Sequence, residues 1–159
     1  MTGRRLGVCT ALLALLPLLC ACGATSPAAR TPTATQVPLV SGSRIVAQVR
    51  RCDAGSNSFC AIDLVVRNGQ YVSSDILARD ESHLLRRQGW SLAGGDTGAQ
   101  SAANSPGHKL RLTYATAAGD LQQIDLGLII RPWPITYALS NSMFDRAAAM
   151  SMRLEVGAS

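Results

Sequence analysis

Two stretches in the first half of the chain alternate between apolar and polar residues. Over 43–52, SRIVAQVRRC, the apolar positions are Ile45, Ala47 and Val49, and over 60–67, CAIDLVVR, they are Ile62, Leu64 and Val66. Side chains two apart share one face of a strand, so both stretches are predicted as half-buried strands. Residues 53–58, DAGSNS, have a turn composition and join them as a hairpin. The period then changes. In SSDILARDESHLLRRQGW, residues 73–90, Ile76, Leu77, Ala78, Leu84 and Leu85 gather on one side at helical spacing, with Arg79, Ser82, His83 and Arg86 opposite. Ser73 or Ser74 suits the N-cap, Asp75 the first turn, and Arg86 and Arg87 the last. Gly89 stands where a left-handed stop is wanted, and Trp90 can fold back on Leu85.

Beyond the helix, residues 90–93 read as a short strand and 94–107, GGDTGAQSAANSPG, as a long loop. Leu110, Leu112 and Tyr114 then share one face of a strand, and Ile124, Leu126, Leu128 and Ile130 share one face of another. AAGD, residues 117–120, is read as the turn between these two. RPWP at 131–134 must be extended, and Pro134 suits the first turn of a second helix. Ile135, Leu139, Met143 and Met150 would form that helix's apolar stripe, with Arg146 intruding and Trp133 plugging the core at its start. MRLEV, 152–156, alternates again as a last strand. The order β-β-α-β-β-β-α-β, rich in hairpins, predicts an α+β fold: a single domain over 44–159, an antiparallel sheet with two helices packed on one face.

The first residues follow another logic. MTGRR is basic, and no charge occurs from Leu6 to Ala24. This is the layout of an export signal, long enough also to span a bilayer. It is interrupted by Pro17 and ends in small residues, and Leu19-Cys20-Ala21-Cys22 resembles the lipobox of bacterial lipoproteins. That resemblance implies a signal peptide over 1–21, cleavage after Ala21, and diacylglycerol on the Cys22 thiol. A thiolate is the nucleophile such a modification needs, and two acyl chains hold a protein at a membrane where one is marginal. Arg4-Arg5 resembles a twin-arginine signal, but Gly7 and Val8 follow where bulky apolar residues belong, so general secretion is the expected route.

From Cys22 to Ser43 the residues are mostly Ser, Thr, Pro, Ala and Gln, with Arg30 the one charge. Such a stretch buries too little apolar surface to offset its ordering entropy, so a disordered tether is expected there. Loss of residues 1–21 removes Arg4 and Arg5 and takes the formal charge from +5 to +3. The basic residues are scattered and aromatics are few, which excludes a nucleic-acid footprint. The abundance of Arg over Lys is the coding bias of a high-GC genome. An amphipathic helix ending in Gly89-Trp90 and a later strand reading LRLTYAT resemble small actinobacterial lipoproteins of unknown function. That likeness implies the architecture and no activity.

Five cysteines are distributed unequally by this scheme. Cys9 and Cys20 leave with the signal, Cys22 takes lipid, and Cys52 and Cys60 flank the first hairpin, where an exported chain is expected to pair them. With two histidines, neither a His-based metal site nor a triad is expected, and no cofactor is expected. Asp96-Thr97-Gly98 resembles the D-T-G of aspartic proteases, which by dimerising would supply a carboxylate pair. Its flanks, Ala93-Gly94-Gly95 and Ala99-Gln100-Ser101, are loop-like where that family has apolar residues. The 94–108 loop is the other candidate, a site for a small ligand or peptide with Asp96, Thr97, His108 and Lys109 at its edges. The leading expectation is a non-enzymatic binding or structural domain outside the cytoplasmic membrane. Its partners would be the membrane, through Cys22, and an envelope protein, polymer or small ligand.

Overall fold

The structure, a computed structural model, describes residues 31–52, 60–94, 100–122, 131–144 and 147–156. Six strands build its frame: β1 (Arg44–Cys52), β2 (Cys60–Asn68), β3 (Ser91–Leu92), β4 (Gln100–Asn104), β5 (Leu110–Thr116) and β6 (Ala148–Val156). Three helices accompany them, α1 (Ser74–Arg87), α2 (Ala117–Gln122) and α3 (Trp133–Phe144). All strand pairs are antiparallel, in the order β1-β2-β6-β5-β4-β3, so the α+β class and the single antiparallel sheet stand as expected. The last strand is inserted at the centre, between β2 and β5. On the β1 edge, Val46 is extra between the pairs Ile45↔Val66 and Ala47↔Val65, a bulge that bends the edge and leaves Val46 exposed.

The central strands meet protein on both faces. In β2 every residue from Cys60 to Val66 is buried, the polar-facing positions included. Leu64, Val66, Leu112, Tyr114, Met150, Met152 and Leu154 pack against Leu77, Ala78 and Leu85 of α1 and against Trp90. Val65 and Ala149, on the opposite face, pack against Ala117, Ile135 and Leu139 of α2 and α3. The expectation of helices on one face is therefore corrected: α1 covers one face, α2 and α3 the other. Fully burying one such Leu or Met side chain contributes about 1.5–3 kcal/mol.

α1 starts and stops on the predicted signals. Ser73 Oγ accepts the Asp75 N–H at 3.2 Å, Gly89 has a φ of 80°, and the Trp90 N–H reaches back to the Leu85 carbonyl at 2.9 Å. Its rotation differs from the apolar pattern. Ile76 is exposed, whereas Glu81 and Ser82 point inward, Ser82 because its hydroxyl bonds the Tyr114 hydroxyl at 2.6 Å.

Four other expectations are revised. Residues 31–43 are ordered rather than a tether: a 3-10 turn at Ala34–Gln36 leads to Val37, buried in the core beside α1. The stretch 94–107 is not loop throughout, since Gln100–Asn104 pairs with both β3 and β5. Ala117-Ala118-Gly119-Asp120 is helix rather than hairpin turn. Met150 belongs to β6 and not to α3. The predicted strand at 124–130 lies outside the described residues.

Candidate functional site

The face carrying α1 is completed by the chain that precedes β1. Residues 31–43 form a strap beside the helix, with Ala34, Val37, Leu39 and Val40 against the same core. The Val40 N–H donates to Glu81 Oε2 at 3.1 Å, and the second carboxylate oxygen, Oε1, is buried without a partner. Burial raises the Glu81 pKa from its ordinary 4.5 to about 7, with the Val40 N–H pulling the other way. Tyr71 donates its hydroxyl to Asp80 Oδ2 at 2.7 Å, and that bond, more than burial, raises the phenol's pKa. Strap and helix enclose a groove of about 560 Å³ with Leu39, Val40 and Leu84 as its apolar lining and Asp80, His83 and Arg87 as its polar lining. It offers apolar area, an occupied acid–phenol pair and two exposed basic side chains.

On the opposite face a cluster of charges is buried beneath α2 and α3. Arg131 Nη1 donates to Asp63 Oδ1 at 3.1 Å and its Nε to Asp120 Oδ1 at 3.0 Å, while Arg51 Nε reaches Asp63 Oδ2 at 3.3 Å. Asp63 comes from β2, Asp120 from α2 and Arg131 from the entry to α3, so one guanidinium ties three elements together. Arg131 Nη2 and Asp120 Oδ2 are buried with no partner. The cluster's two carboxylates and two guanidiniums balance, and three of the four side chains are almost fully buried. Its evident work is to hold the α2–α3 layer on the sheet.

α3 also presents two aromatic rings to solvent. Trp133 is 74% exposed and Tyr137 56% exposed, stacked at 5.2 Å with 13° between their planes. The expectation that Trp133 plugs the core is corrected. Ile135 and Leu139 point at the sheet instead, so residues 133 and 137, which share a different side of the helix, point away.

Of the site residues singled out from the sequence, Cys52, Cys60, His108 and Lys109 lie among the described residues. Cys52 and Cys60 are joined as a disulfide across the register pair that ends the β1–β2 ladder, with Cα atoms 4.1 Å apart. His108, at a φ of 54°, and Lys109 are exposed in the turn between β4 and β5. Cys22, Asp96 and Thr97 lie outside the described residues. Among the described residues no group of three His, Cys, Asp or Glu side chains could hold a metal, and no helix is long and apolar enough to cross a membrane. The sequence reading missed Glu81 and the Asp63–Arg131–Asp120 cluster. Asp63 alone gave a signal, as a charge inside the apolar run CAIDLVV. Comparison with protein-family models, curated proteins and solved structures finds no match to this chain.

Proposed function

We propose that this protein is a lipid-anchored component of the bacterial cell envelope, held outside the cytoplasmic membrane through Cys22, with a domain that binds or supports a partner rather than catalysing a reaction. The observation that carries the reading is Leu19-Cys20-Ala21-Cys22 at the end of the uncharged run 6–24. The Cys52–Cys60 disulfide supports it, since such bonds persist in oxidising compartments. So does the likeness to small actinobacterial lipoproteins. A binding role draws its support from the stacked, exposed Trp133 and Tyr137, because rings of this size usually find cover unless a partner supplies it. Substituting Cys22→Ser in the expressing bacterium tests the anchor. The variant is expected to leave the membrane fraction or accumulate unprocessed; a variant that fractionates and processes as the parent does would end the proposal.

A further inference from the structure

The domain is not joined to its anchor at an arbitrary point. Eight residues, 23–30, lie between Cys22 and Thr31, and in any conformation the nine Cα–Cα steps span at most about 30 Å. From Ala34 onward the strap is packed into the layer that holds α1, so the anchor enters on that face of the sheet. The α2–α3 layer lies on the far side, about 20 Å away at two layer spacings of roughly 10 Å. Turning that side to the membrane would demand a nearly extended connection.

The outer face of α1 has the chemistry such a position would use. Ile76, Arg79, His83 and Arg86 follow one another at spacings of three, four and three residues, which places them on a single stripe, and all four are exposed. Arg87 is exposed one position on, and Arg50 of β1 opens to the same face of the sheet. The acidic groups there are few. Asp75 lies in the helix's first turn, Asp80 accepts the Tyr71 hydroxyl, and Glu81 is buried under the strap; residues 31–43 carry no charge.

From this placement we infer that the Ile76–Arg79–His83–Arg86 face of α1 rests against the surface of an anionic phospholipid bilayer, leaving Trp133 and Tyr137 directed away from it. The inference rests on lipid attachment at Cys22. Arginines held at an anionic surface each favour the docked orientation by a factor of about five, and exposed Ile76 can enter the headgroup boundary between them.

The test uses the full-length protein as the cell processes it, reconstituted in vesicles one-third phosphatidylglycerol or in phosphatidylcholine alone, with arginine modification by phenylglyoxal mapped by mass spectrometry. Arg79 and Arg87 are expected to react about fivefold more slowly on the anionic vesicles, and high salt is expected to restore them. Arg44 and Arg111, exposed elsewhere, are expected to react equally on both. Arg86 is expected to be slowed on the anionic vesicles as well, and substituting Arg79→Gln and Arg87→Gln together is expected to abolish that difference between the two vesicle types. Equal reactivity of Arg79 and Arg87 on the two vesicle types, with Cys22 acylated in the same spectra, would overturn the inference and leave the anchor standing. An unacylated Cys22 would overturn both. Two further results would also overturn it: quenching of Trp133 by brominated lipid places the other face at the membrane, and protection in detergent that grows with protein concentration marks a second copy as the occupant.

Discussion

Glu81 of α1 lies under the strap. It is fully buried, receives one N–H from the strap, and leaves its other oxygen without a partner. With its pKa moved from 4.5 in the unfolded chain to about 7, the folded protein retains a proton that the unfolded chain releases. Stability is therefore highest below pH 4.5 as far as this group is concerned and falls as pH rises towards 7, by at most about 3 kcal/mol. Urea denaturation across that interval is expected to show the decline, and Glu81→Gln is expected to flatten it. Nothing in the helical periodicity revealed this residue. Leu77, Leu84 and Leu85 fix which side of α1 is apolar on average, but the true rotation is decided by two long-range polar contacts, Val40 with Glu81 and Tyr114 with Ser82. Such contacts join positions far apart in sequence and leave no local pattern.

At the scale of elements, one guanidinium ties the α2–α3 layer to the sheet beside its apolar contacts. Arg131 is buried with two carboxylates, and replacing it with Met would leave Asp63 and Asp120 inside without their common partner. Breaking a buried pair from one side costs about 3–5 kcal/mol, and Arg131→Met is expected to lower stability by that amount in equilibrium denaturation. A loss below about 1 kcal/mol would mean the cluster does not hold this layer. α2 was partly legible. Thr116 Oγ1 accepts the Gly119 N–H at 3.0 Å in the manner of an N-cap, and two alanines follow it, so TAAGD carried a helix start that its Gly-Asp pair disguised as a turn. β4 was less so: QSAAN has small side chains and no apolar alternation, and its pairing with β3 and β5 comes from the sheet around it.

For the whole molecule, the β1–β2 pairing, the antiparallel sheet and the disulfide could be read from alternation and cysteine placement, while the two-sided covering and the helix at 117–122 could not. Alternation in β2 separates two interior layers, and the sequence of one strand does not distinguish an inner face from a wet one when Asp63 marks the second layer. The disulfide closes a short loop at the end of the β1–β2 ladder and is expected to contribute roughly 2.5 kcal/mol. Cys52→Ser with Cys60→Ser is expected to shift the denaturation midpoint accordingly. The strap has the widest reach. Because residues 31–43 are fixed on the α1 face, the lipid attachment proposed at Cys22 would bring that face of the domain to the membrane. The most direct measurement is therefore the intact mass and N-terminal peptide mass of the protein extracted from native membranes. A chain beginning at Cys22 and carrying acyl groups on it is expected; a mature chain that begins elsewhere, or a bare Cys22 thiol, would rule out lipid attachment at this residue.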